Sequence, residues 1–155
     1  MLLSRTDPLG VAVRTSVVIQ HSTMQKETGT MDARDQRNIA AVRGFYRQER
    51  EHAAPNIIWH VPGHSPVSGE YVGWDAYFTT MVSRMEPLDR WEVEPLDVMV
   101  NGDFVVATSR VVGERRGQRI DLRGVHLFRL SDDGKVAEGW GFVNDQDALD
   151  AFFSA

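Results

Sequence analysis

Three dipeptides in the C-terminal half, Asn101-Gly102, Arg116-Gly117 and Asp133-Gly134, constrain this chain most. Asn-Gly and Asp-Gly supply the positive φ angles that tight hairpins demand, and all three stand between segments of strand-like composition. The chain from Trp91 onward therefore reads as an antiparallel meander with strands near 91–100, 103–115, 118–130 and 135–143. On the third strand Ile120, Leu122, Gly124, His126, Phe128 and Leu130 share one face, which must meet a core. The other face carries Asp121, Arg123, Val125, Leu127 and Arg129, and there Val125 and Leu127 are apolar enough to meet another subunit.

Upstream the apolar period changes. Between Asp32 and about Glu51, Ile39, Val42, Phe45 and Tyr46 recur at three- and four-residue spacing, which predicts an amphipathic helix. Pro55 ends it. Residues 56–61 read as a short strand and 62–73 as a loop rich in Pro and Gly. Trp74, Tyr77, Phe78, Met81, Val82 and Met85 then mark a second amphipathic helix before Pro87. The tail, 144–153, predicts a closing helix with Ala148, Leu149, Phe152 and Phe153 on its buried side. Helices, a strand, a helix and four hairpin-linked strands make an α+β domain whose curved sheet encloses a small-molecule pocket. Residues 1–30 are less regular and read as an N-terminal extension, with Val11, Val13, Val17 and Ile19 as a short strand. The pocket domain is expected over 31–155.

A chain of 155 residues suits one such domain. A net charge of −5 argues against a nucleic-acid partner, because phosphate neutralisation needs a basic surface. No apolar stretch approaches the ~20 residues that span a bilayer. The absence of cysteine excludes disulfides, thiolate zinc sites and cysteine nucleophiles, and it fits a cytoplasmic setting. His60 and His64 have the spacing of a helical ligand pair, but Pro62 and Gly63 stand between them, so no metal is expected. Neither a phosphate-binding glycine loop nor a Ser-His-Asp order appears, and no cofactor is expected.

The run Trp59-His60-Val61-Pro62-Gly63-His64-Ser65-Pro66-Val67-Ser68-Gly69-Glu70-Tyr71-Val72-Gly73 resembles the first strand and loop of SnoaL-like proteins. Val125-His126-Leu127-Phe128-Arg129-Leu130, then Asp133-Gly134-Lys135-Val136 and Glu138-Gly139-Trp140, resemble their final hairpin. These proteins belong to the nuclear-transport-factor-two-like superfamily, with ketosteroid isomerases, scytalone dehydratases and limonene epoxide hydrolases. The resemblance covers roughly residues 33–153. It implies a cystatin-like α+β cone, a curved antiparallel sheet with helices packed on its concave face, and a homodimer formed through the sheet's outer face. One departure is a missing helix: only residues near His52 to Asn56 separate the first helix from the strand holding Trp59.

Set against the ketosteroid isomerase pattern, the catalytic base falls on His60, the protonated acid of the oxyanion hole on His126, and its tyrosine on or beside Tyr46. Both acids are thus replaced by imidazoles, which titrate near neutral pH and can exchange protons without a large shift. Against this stands a plainer reading in which His126 is a core histidine hydrogen-bonded to a neighbour such as Tyr46. His60 is open on both counts, since either face of its strand could be inward. The resemblance to SnoaL-like cyclases points to Asp145 as an acid–base group, although Asn144 or Asp145 is equally placed to cap the closing helix. Trp59, Tyr77, Phe128 and Trp140 are candidates for the pocket wall or the core, and Glu138 shares a strand face with Trp140. Two functions are implied. One is a cofactor-independent enzyme (isomerase, cyclase, dehydratase or hydrolase) working by acid–base chemistry on a small apolar molecule. The other is a non-catalytic binding or dimerisation module of the same fold.

Overall fold

A computed structural model of the protein describes residues 31–155, preceded only by two short paired strands, β1 (Arg5–Thr6) and β2 (Ala12–Val13). Val13 falls in β2, whereas Val11, Val17 and Ile19 lie outside the described residues. Residues 31–155 form a unit of their own.

That unit opens with helix α1 (Ala33–Tyr46), whose first turn is capped by Asp32 accepting from the Asp35 amide at 2.7 Å. Its apolar stripe, Ile39, Val42 and Phe45, is buried as the spacing predicts. A single 3₁₀ turn, Arg50–His52, stands where relatives were expected to keep a further helix, and it leads directly into β3 (Ala53–Val61). The Pro- and Gly-rich segment is not all loop, since Gly69–Val72 forms β4, an edge strand paired with β3. It has only four residues, of which only Tyr71 is buried, so no alternation marks it. The second helix is wound as a π-helix over Ala76–Met81 and tightens into α2 (Val82–Met85).

The meander follows with β5 (Arg90–Asn101), β6 (Phe104–Arg115), β7 (Gln118–Leu130) and β8 (Val136–Val143). Its turns fall on the expected dipeptides, with Gly102, Gly117 and Gly134 all at positive φ. The six strands lie in the order β4-β3-β8-β7-β6-β5. The sheet is mixed rather than wholly antiparallel, because β3 joins it parallel to β8 while every other pair is antiparallel. Helix α3 (Gln146–Ser154) closes the chain, and the buried Arg115 holds its end by donating from Nη1 to the Phe152 and Ala155 carbonyls at 2.9 and 2.8 Å.

Two apolar clusters fill the concave side. One centres on Phe45, Ile57, Trp59 and Phe128, the other on Val67, Met85, Phe152 and Phe153. Val61 and Met81 pack against both. The space between these clusters is where the sheet's curvature leaves room.

Candidate functional site

A cavity occupies that space as two adjoining lobes of about 100 and 210 Å³. The lobes share Tyr77, Met81, Met85, Trp91, Val93 and His126 as walls. Strand alternation turns Trp59 of β3 inward, where it is 4% exposed. Its indole lies over Gly139 of β8, where a Cβ would stand 2.3 Å from the ring. A Cβ at Gly141 would stand 3.4 Å from Nε2 of His126. Two glycines on one strand face thus leave room for the indole and the imidazole.

His126 is the polar centre of this cavity. Its Nδ1 lies 2.7 Å from the Tyr46 hydroxyl, and the two rings stack with centroids 5.7 Å apart. Trp59 meets the imidazole edge-on at 5.3 Å. Burial among aromatic rings pushes the His126 pKa down to about 4, so the ring is neutral at pH 7. Burial, then the neighbouring Tyr77, pushes the Tyr46 phenol up, so it keeps its proton. When the phenol donates to Nδ1, the imidazole carries its own hydrogen on Nε2, on the side of Gly141. That makes His126 a fixed, neutral hydrogen-bond donor toward the cavity. With so low a pKa, the ring is a weak proton acceptor at neutral pH.

The remaining candidates are distributed differently. His60 points to the outer face of the sheet, because Trp59 takes the inward position on β3. There Nε2 lies 2.8 Å from Glu138 Oε1, Nδ1 lies 3.5 Å from Glu70, and the ring stacks on Trp140 at 5.0 Å. The hydrogen bonds from His60 and Arg129 hold the Glu138 carboxyl below the usual range. The two imidazoles therefore do not share one cavity, and Trp140 and Glu138 belong to the outer group. Asp145 caps α3, accepting from the Ala148 amide at 2.9 Å, and is exposed. Phe128 is fully buried behind Tyr46 and His126, and Tyr77 lines both lobes.

Sequence reasoning did not single out Met81, Met85 or Trp91 as cavity walls. The two methionines were visible as a spacing of four on the second helix, but that pattern marks core as readily as pocket. Among the described residues, Glu49, Glu51 and His52 bring potential metal-ligand atoms within 4.8 Å of one another. Glu49 is already engaged by Arg47 at 2.8 Å and by His52 at 3.1 Å, and none of the three lines either lobe of the cavity.

Comparison with known proteins follows the same lines. The structure of Bal32a, from a soil-derived mobile gene cassette, superposes with a TM-score of 0.68 at 25% identity, covering 77% of this chain and 98% of that one. A protein of unknown function with a cystatin-like fold from Xanthomonas campestris gives 0.66 at 27% identity, covering 76% and 98%. TerC, co-crystallised with polyporic acid, gives 0.63 at 22% identity, covering 77% and 99%. No curated protein is a significant match to the sequence. The profile of the SnoaL-like domain matches residues 28–139, most of the pocket-forming unit, and the chain belongs to that family.

Proposed function

We propose that this protein is a cofactor-independent enzyme acting on a small, largely apolar, uncharged organic molecule. His126 is its electrophile, and Tyr46 fixes the orientation and tautomer of that imidazole. The observation that carries this reading is the neutral His126, anchored at Nδ1 by Tyr46 and open to an apolar cavity on its other edge. A preorganised donor in a water-poor site stabilises charge that develops on a carbonyl or alkoxide oxygen, and it needs no reorganisation to do so. Isomerisation, cyclisation and dehydration all build such charge. The family includes polyketide cyclases and isomerases, and TerC, which shares the fold, was co-crystallised with polyporic acid.

A non-catalytic binding module is the second reading. It is favoured by the cavity walls among the described residues, which include no carboxylate and so offer no strong base beside His126. In either case a second copy covers the outer sheet face, where Val125, Phe142, Phe104 and Met99 are each at least 40% exposed. A cytoplasmic setting belongs to the same proposal. Sedimentation velocity should show a dimer that Val125→Glu dissociates.

Native mass spectrometry of the purified protein tests the site. A small neutral compound retained by the wild type should be lost from His126→Gln and Tyr46→Phe. Equal retention by all three proteins would remove His126 and Tyr46 from the site. With a substrate identified, the rate should stay level through neutral pH and fall only as pH approaches 4. A limb near 6.5 would contradict the neutral-donor role and point to ordinary histidine acid–base chemistry.

A further inference from the structure

The chain has three tyrosines, and two of their hydroxyls are engaged within the protein. Tyr46 pairs with His126, and Tyr71 donates to the Val67 carbonyl at 2.6 Å while accepting from Arg84. The third, Tyr77, finds no hydrogen-bond partner for its hydroxyl among the described residues. Burial pushes this phenol up, so it does not sit in bulk water. Neither is it sealed. The fully enclosed side-chain atoms without a partner among the described residues belong to Asn38 and Ser109, so the Tyr77 oxygen keeps open space beside it.

The cavity supplies that space. Tyr77 walls both lobes, and its ring is clasped by Phe45 at 5.5 Å, Trp59 at 4.9 Å and Phe78 at 4.5 Å. It also lies near enough to Tyr46, a wall of the larger lobe, to help push that phenol up. The backbone here is unusual as well. Tyr77 stands in the π-wound segment Ala76–Met81, a rare winding that recurs at functional sites, and its Tyr77, Phe78 and Met81 all line the cavity.

Hydrogen-bond roles narrow what the hydroxyl meets. The nitrogen- and oxygen-bearing side chains of the smaller lobe are Trp59, Tyr77, Trp91 and His126. An indole only donates, and the Nδ1 of His126 is taken by Tyr46, which leaves its Nε2–H to donate. Tyr77 alone among these four can accept a hydrogen bond. We propose that Tyr77 is a specificity-determining residue of this cavity, and that its hydroxyl accepts the hydrogen of a hydroxyl group on a neutral ring ligand. The proposal rests on reading the cavity as a ligand site. It narrows the ligand from apolar and uncharged to a hydroxylated ring.

NMR titration of toluene and 4-methylphenol, which is toluene with one hydroxyl added, into wild type and Tyr77→Phe tests this. One ring is a suitable size, because an engineered cavity of about 150 Å³ accepts benzene. Tyr77→Phe keeps the aromatic ring and its packing. It should bind toluene as wild type does and 4-methylphenol about tenfold more weakly, the worth of one hydrogen bond in a buried site. With no partner lost in the free protein, the variant should melt within about 1 °C of wild type. A fall of about 2–4 °C would mean that the hydroxyl already bonds within the protein, and the assignment would be overturned. It is overturned equally by unchanged 4-methylphenol affinity in the variant, by an equal loss for both probes, or by a wild type that takes toluene and rejects 4-methylphenol. If neither probe binds the wild type, the ligand-site reading falls and takes this assignment with it.

Discussion

Acidification offers the sharpest test of the site's electrostatics. In the unfolded chain His126 titrates near 6.5, whereas burial against Tyr46, Trp59 and Phe128 holds it at about 4 in the folded protein. A group with a depressed folded pKa contributes stability that is intact above the unfolded value and is lost as pH falls toward the folded one. As pH drops below 6.5 the unfolded chain takes up the proton first, and folding loses free energy at about 1.4 kcal/mol per pH unit. The loss from this one residue should reach about 2 kcal/mol at pH 5 and about 3 kcal/mol at pH 4, then level off. Carboxylates also titrate at the lower end of this window, so the quantity to measure is a difference. Urea unfolding, followed by tryptophan fluorescence between pH 8 and 4, would be run on wild type and on His126→Gln. Glutamine keeps a hydrogen-bonding group near Tyr46 but cannot take up the proton. The wild-type curve should fall away from the variant's below pH 6.5 by the amounts given. Parallel curves down to pH 4.5 would mean that the imidazole titrates normally, and the neutral-donor argument would fail with it.

Two other substitutions probe the geometry around it. Gly139→Ala forces a methyl group against the Trp59 ring and should cost about 1–3 kcal/mol by chemical unfolding, through overpacking alone. A stability within error of wild type would mean that the indole does not rest on β8. Asp145→Ala removes the α3 cap and should cost about 1 kcal/mol while leaving ligand affinity unchanged, and a loss of affinity at constant stability would return Asp145 to the chemistry.

Much of the architecture was legible because it follows from local rules. The turns at Gly102, Gly117 and Gly134 need positive φ, and the strands between them alternate with a period of two. That alternation alone placed Leu122, Gly124, His126, Phe128 and Leu130 on the concave face. The stripe on α1 likewise brought Phe45 and Tyr46 inward, and the proximity of Tyr46 to His126 followed from the two together. What tertiary structure alone decided lies where local rules are silent. Residues 57–61 alternate plausibly in either sense. Only the parallel pairing of β3 with β8, which sets Trp59 over Gly139, turns His60 outward to Glu138 and Trp140. Strand β4 exists because β3 offers an edge, not because its own four residues demand it. Ser109, buried on β6, has no hydrogen-bond partner for its hydroxyl among the described residues, and only the strand pairing sets Pro95 and Gly124 opposite it. Spacing along the chain fixes which residues share a face, but which face meets the cavity, and what stands opposite, depends on contacts between residues far apart in sequence.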